Sequence, residues 1–310
     1  MIDTRSATAP DFMSNGTWRR LRRNDNAGIE AARQELSCNF PSLEEGYEED
    51  EAFIYLPVAV LVRQGDEVLQ DVVVFALGDD ALVTLEPANG FPPFDRAPGI
   101  LKRRPDIKRD VHGVMYALLQ ATNSASNQII EVASAALESM NDLIRNITEG
   151  ADEHGREITT DDIQIAMGEL NEREELISRI QEGQLLLERA ARNLRVEVIG
   201  AGAELRSQIE TLISDIQGIK EHAGFEHDKV RYLQQSVMTS LSAKQNQVVK
   251  VFTIITAVFL PPTLIGTLYG MNFAVMPELS WEGGFTATIF LTLLAALLPL
   301  WYIKRKGWLR

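Results

Sequence analysis

One cysteine, Cys38, in 310 residues leaves nothing for an intramolecular disulfide, which fits a reducing compartment. Histidine is nearly as scarce: of four, only His222 stands four residues from an acid, Glu226, and this argues against a structural zinc site. There is no nucleophile–base pair, phosphate-binding glycine loop or ligand cluster, so enzymatic chemistry is not expected. Basic residues are outnumbered, 30 Lys and Arg against 44 Asp and Glu, and a net charge of -14 makes nucleic acid a poor partner. The excess is concentrated in Leu43 to Glu51, LEEGYEEDE, which suits divalent cations, although a merely solvated acidic face is the commoner case. The opening MIDTRSATAPDFMSNG has no apolar core, so no signal peptide is expected.

The most telling absence is of charge near the other end. No charged side chain occurs from Val251 to Pro277, and none from Phe285 to Ile303. Apolar runs of about 18 residues or more can cross a hydrocarbon layer roughly 30 Å thick. The short connection between them, YGMNFAVMPELSWEGG, implies a helical hairpin with both ends on one side. Lys244 and Lys250 precede the first run and Lys304, Arg305, Lys306 and Arg310 follow the second, whereas the connection carries Glu278 and Glu282 and no base. Bases near a span stay cytoplasmic. The expectation is a multi-pass protein of a bacterial inner membrane, with cytoplasmic N- and C-termini and most of its mass in the cytosol.

The preceding part divides by pattern. Residues 1–35 are polar, with a basic cluster at Arg19, Arg20, Arg22 and Arg23, and are read as a flexible segment. Residues 36–105 hold AFIYLPVAVLV, VLQDVVVFAL and ALVTLEP, β-branched runs separated by Gln64-Gly65-Asp66 and Gly78-Asp79-Asp80, so three or four partly antiparallel strands are expected. FPPF and the stretch from Asp95 to Gly99 read as a loop leading to helix. In 106–195, helices are expected over about Ile107–Asn146 and Asp161–Arg195, the second opened by Thr159-Thr160-Asp161-Asp162 as an N-cap. In 196–250, Leu205, Ile209, Leu212, Ile216, Ile219, Ala223, Val230, Leu233 and Val237 form a heptad seam broken near Glu226. No proline stops this stalk between 200 and 260, so one helix from Val196 to Leu268, on the order of 110 Å long, runs into the hairpin of 251–310. Such a seam needs partner helices from its own domain or from other copies.

Two spans alone cannot enclose an aqueous path, so transport requires several copies around an axis. The first span carries Thr253, Thr256, Thr263 and Thr267, Pro261-Pro262 and Gly266, while the second is almost wholly aliphatic. Threonines facing a bundle interior and threonines bonding back to their own helix are both open readings. The prolines are expected to kink the span and free carbonyl groups.

At its end stand Tyr269-Gly270-Met271-Asn272, with SAKQNQVVKVFTIIT before, MPEL and a tryptophan after, and KRKGWL near the terminus. These features resemble the CorA family of divalent-cation transporters, which includes the ZntB branch. The resemblance is close over the last seventy residues and loose over the long helices. It implies a CorA-like homopentameric funnel: an α/β cytosolic domain, a long stalk helix and two C-terminal transmembrane helices, the first lining a pore. It implies Gly270, Met271 and Asn272 as selectivity filter and Val249, Phe252, Thr256, Leu260, Thr263 and Thr267 as pore lining, with Phe252 and Leu260 as an apolar constriction. Neutral Asn272 amides suit Mg²⁺, which dehydrates reluctantly, better than carboxylates that hold it too tightly. Family members often have an acid after YGMNF where this chain has Ala274, leaving Glu278 and Glu282 as the outer-mouth acids. Regulatory-metal candidates are Asp215, Glu221, Glu226 and Asp228, although ordinary solvated acids would look the same. The expected cargo is Mg²⁺, also acting as gating ion, with Co²⁺ or Ni²⁺ as further cargo. The alternatives are a ZntB-like Zn²⁺ transporter coupled to protons, which the intact MPEL disfavours, and a membrane-tethered coiled-coil scaffold that transports nothing.

Overall fold

The computed structural model describes residues 18–40, 48–64, 67–150, 156, 158–198, 203–271, 276 and 280–307. The chain divides into two compact units, one ending at Gln234 and one beginning at Gln235.

The first unit is built on a five-stranded mixed sheet: β1 (Trp18–Arg22), β2 (Glu48–Glu49), β3 (Ile54–Gln64), β4 (Glu67–Leu77) and β5 (Leu82–Glu86), in the order β1-β5-β4-β3-β2. β1 runs parallel to β5 and the other pairings are antiparallel, with Gln64 opposite Glu67 at one end of the β3–β4 ladder. Among the described residues β2 pairs only Ile54 and Tyr55 of β3, so no described ladder meets Pro57 on that edge. Successive strand residues point to opposite faces. Leu56, Val58, Val60, Val73, Phe75, Leu77 and Leu82 enter a core shared with α2 (Ala97–Arg103), α3 (Val111–Glu149), α4 (Thr160–Glu197) and the start of α5 (Ala203–Tyr269). Tyr55, Val74, Ala76, Val83 and Leu85 enter a second core with Leu21, Cys38 and Ala32 of α1 (Asn26–Leu36). β3, β4 and β5 are largely buried on both faces, which is why they read as near-continuous apolar runs.

Residues 18–35, read as part of a flexible segment, instead make up β1, the turn after it and nearly all of α1. Three of the four arginines that looked like a basic cluster are paired: Arg20 with Glu86 and Asp95, both at 2.6 Å, Arg23 with Asp71 at 2.7 Å and Arg19 with Glu35 at 2.9 Å. Burial works against the Arg20 charge, yet the bonds to Glu86 and Asp95 hold its pKa above the ordinary guanidinium value. The FPPF loop is a 3₁₀ turn, Pro92–Arg96, whose Phe94 is fully buried beside Phe91 and Phe75.

Helix ends follow their local chemistry. Asp110 accepts from the Gly113 N–H at the start of α3, and Gly150, at φ 85°, closes it. Thr159 and Asp162 form the capping box of α4. In the first unit the α5 seam Leu205, Ile209, Leu212, Ile216, Ala223, Val230 and Leu233 is buried. Polar groups reinforce that packing: Glu188 of α4 accepts from Gln217 (2.9 Å) and Arg192 (2.5 Å) and lies 3.3 Å from Lys220. The bonds from Gln217 and Arg192 pull its carboxyl down to about 2 despite burial. The second unit holds the rest of α5 and α6 (Gly284–Arg305), which among the described residues are the two helices apolar and long enough to cross a membrane.

Candidate functional site

Within the second unit, the accessible face of α5 is not random. Ile254, Ala257, Val258, Pro261, Pro262 and Ile265 are half-covered, in a unit whose other described helix is α6. Val249, Phe252, Thr256, Leu260, Thr263, Thr267 and Gly270 are all exposed. At about 100° of rotation per residue these seven fall within an arc of roughly 80°, opposite the half-covered face. One chain therefore presents every described pore-lining candidate as a single strip, apolar at Phe252 and Leu260 and oxygen-bearing at Thr256, Thr263 and Thr267.

The threonines bond back to their own helix. Hydroxyls of Thr253, Thr256, Thr263 and Thr267 donate to the carbonyls of Val249, Phe252, Phe259 and Leu264 at 2.8, 2.8, 2.7 and 2.9 Å. This does not compete with lining an aqueous path. Each hydroxyl spends its one hydrogen inward and keeps oxygen lone pairs as acceptors. A surface that accepts but does not donate suits the water shell of a cation, whose hydrogens point outward.

α5 runs through Pro261 and Pro262 without interruption. Lacking N–H groups, they leave the carbonyls of Ala257 and Val258 without helical donors. Those residues belong to the half-covered face, so the freed carbonyls do not add to the strip.

At the end of α5, Gly270 donates to the Gly266 carbonyl at 3.0 Å, and a side chain on Gly270 would place Cβ 3.1 Å from that oxygen. What favours glycine here is this close approach, not a positive φ. Met271 is exposed. Asn272 and Glu278 lie outside the described residues, and Glu282 is exposed in the turn before α6.

The four regulatory candidates do not form one site within a chain. Asp215, Glu221 and Asp228 are exposed on α5, Glu221 and Asp228 one heptad apart, whereas Glu226 is 3% exposed. Glu226 accepts from Ser134 of α3 at 2.8 Å, with His222 and Lys229 each 3.6 Å from its carboxylate. That explains the break in the heptad seam: the position is buried, but by a polar side chain anchored across to α3. Among the described residues no group of three or more His, Cys, Asp or Glu could hold a metal ion. Sequence reasoning missed Ser134 and Glu188, since their partners are on other helices; the one local signal was Arg192 four residues after Glu188.

The chain matches the family described as CorA-like Mg2+ transporter protein over residues 25–305. It is 30% identical over 203 residues to the magnesium transport protein CorA of Pasteurella multocida (strain Pm70), covering 66% of this chain and 61% of that protein. Its identity to the magnesium transport protein CorA of Escherichia coli (strain K12) is 32% over 190 residues, 60% of each chain. The match thus spans about three fifths of the length of these curated relatives. Among solved structures, the complete CorA magnesium transporter of Methanocaldococcus jannaschii aligns with a TM-score of 0.70 at 16% identity, covering 94% of this chain and 90% of that one. The full-length CmaX protein aligns at 0.67 and 12% identity, covering 98% and 92%. The shared fold is a mixed-sheet N-terminal domain, a long helix and two C-terminal apolar helices. On the extent of the family match, this chain belongs to the CorA-like Mg²⁺ transporter family.

Proposed function

We propose that this chain forms a passive Mg²⁺ channel in the inner membrane, with α5 of several copies facing a central pathway. One observation carries the reading: Val249 to Gly270 present an uncharged strip, apolar at Val249, Phe252 and Leu260 and acceptor-bearing at Thr256, Thr263 and Thr267, that leads to Gly-Met-Asn. Neutral acceptors hold a hydrated divalent ion loosely enough to release it, as conduction requires. Phe252 and Leu260 form the apolar constriction and Asn272 rings the outer mouth, where Glu278 and Glu282 attract cations. The membrane potential drives entry, at about 2.3 kcal/mol per charge per 100 mV. Five copies assemble, each stalk supplying partners for its neighbours, and both termini are cytoplasmic. Cytosolic Mg²⁺ closes the pathway by bridging acids of adjacent copies, with the exposed Asp215, Glu221 and Asp228 as candidates. Buried Glu226, held by Ser134, serves packing instead.

Purified protein in liposomes tests this with an internal Mg²⁺ dye, a pH probe and native mass measurement of the same preparation. The expected result is a five-copy assembly that admits Mg²⁺, with Co²⁺ or Ni²⁺ as weaker cargo, does not acidify the lumen and slows when internal Mg²⁺ is raised. Zn²⁺ uptake with proton entry would establish the ZntB-like alternative. A conducting monomer or dimer would contradict the shared pathway, and an assembled protein that passes no ion would leave the scaffold reading.

A further inference from the structure

The cytoplasmic end of α6 carries a concentration of unpaired positive charge that the transport reading does not use. Lys304, Arg305 and Lys306 are exposed, and none has a carboxylate partner among the described residues, in a chain of net charge -14. Elsewhere Arg19 and Arg20 of β1 and Arg179 and Arg192 of α4 find acids within 3 Å.

Their geometry points to what they meet. Side chains on a helix lean toward its N-terminus, onto the preceding turn. The Arg305 guanidinium accordingly sits 5.4 Å from the Trp301 ring centre, and the Lys306 ammonium 6.0 Å from that of Tyr302. Both pairs are four residues apart and both cations reach back toward the apolar body of the helix. Trp301 and Tyr302 are each 58% exposed and continue the exposed leucines Leu293, Leu297 and Leu298. An amphipathic ring at the end of an apolar run belongs at headgroup depth, and a long basic side chain there places its charge at the phosphate layer. Arg305 and Lys306 are on adjacent faces of the helix, so two donor groups border the aromatic step, and Lys304 adds a third charge on the other side of Arg305.

We infer that this step is a binding site for an acidic phospholipid, the headgroup phosphate held by Arg305 with Lys304 and Lys306 and the glycerol region against Trp301 and Tyr302. An acidic rather than zwitterionic lipid is required because the three charges have no carboxylate partner among the described residues, and a choline or ethanolamine group would add another cation. Arg305 suits the phosphate for its planar fork, whereas the lysines act as point charges. The inference rests on α6 spanning the membrane, which is part of the function proposed above.

The test is native mass spectrometry of the full chain taken from bilayers of equal phosphatidylglycerol and phosphatidylcholine. The account expects retained lipid enriched in phosphatidylglycerol on the order of tenfold, and a K304Q/R305Q/K306Q variant retaining the two equally. Removing three bases can also disturb insertion, so Arg305→Gln alone, which leaves two charges for orientation, is measured beside it and is expected to lose most of the enrichment. Equal retention by the wild-type chain, or undiminished enrichment in Arg305→Gln, would overturn the site. Failure of the wild-type chain to enter bilayers of either composition would instead strike at the membrane reading itself.

Discussion

Asn272→Ala is expected to bring Mg²⁺ uptake close to that of protein-free vesicles while the assembly stays intact. The expectation follows from the kind of ion and the kind of ligand. Mg²⁺ keeps its inner water shell, so the filter must recognise water rather than metal. An amide oxygen does that by accepting from bound water. Each lost hydrogen bond is worth about 1 kcal/mol, and in the five-copy assembly proposed above all five are lost together. The sum, about 5 kcal/mol, is over a thousandfold in the occupancy of the mouth. Asn272→Asp should also slow transport, by binding the ion too firmly to pass it on. Uptake and native mass are read on the same preparation, and unchanged uptake by an intact Asn272→Ala assembly would remove the selectivity ring.

The largest expected effect on stability is at a glycine far from that mouth. Gly113 lies in the first turn of α3, where a Cβ would stand 2.0 Å from the Lys108 carbonyl oxygen and 2.9 Å from Ile107 Cγ2. Neither neighbour can give way cheaply. Lys108 belongs to the backbone entering the helix, and Asp110 caps that turn through the Gly113 N–H itself at 2.9 Å. Moving the turn would displace Val114, Met115 and Leu118, all fully buried between helices and sheet. Gly113→Ala should therefore destabilise the first unit by about 3 kcal/mol or more. Gly168→Ala in α4 is the matched control, with open space at its Cβ and a helical site that favours alanine. The control should unfold at the wild-type temperature or slightly above, and Gly113→Ala many degrees below it. Equal melting of both variants would mean that the turn can shift freely.

How much of this was legible depends on where the partners of each residue lie. β3, β4 and β5 were readable because their burial on two faces leaves uninterrupted β-branched runs. The α4 start was readable because Thr159 and Asp162 satisfy each other within one turn. β1 was not, since WRRLR is polar by composition and becomes a strand through partners about 66 residues later: Trp18 donates to Thr84 and Arg20 to Glu86. Glu226 looked like a break in the seam for the same reason, its partner Ser134 being 92 residues earlier. In the candidate site, the strip from Val249 to Thr267 came from the family resemblance; its residues are all exposed on α5, but so are Thr253, Ile255, Phe259 and Leu264, so exposure alone does not single the strip out. No local pattern distinguished back-bonded threonines from lining ones, because in α5 the same hydroxyl does the first and can do the second.

The scarcity of cysteine makes the central claim directly testable. Cys38 is 1% exposed and burial pushes its thiol up to about 12, so it is a silent background for thiol chemistry in the native chain. Thr256→Cys, Thr263→Cys and Leu293→Cys, each reconstituted in liposomes, are treated with a membrane-impermeant cationic thiol reagent while Mg²⁺ uptake is recorded. If the α5 strip lines the pathway, uptake through the two α5 variants falls to background on modification, and uptake through Leu293→Cys on α6 does not change. Continued uptake in both α5 variants after modification verified by mass, or equal loss at Leu293→Cys, would contradict a pathway along this face of α5.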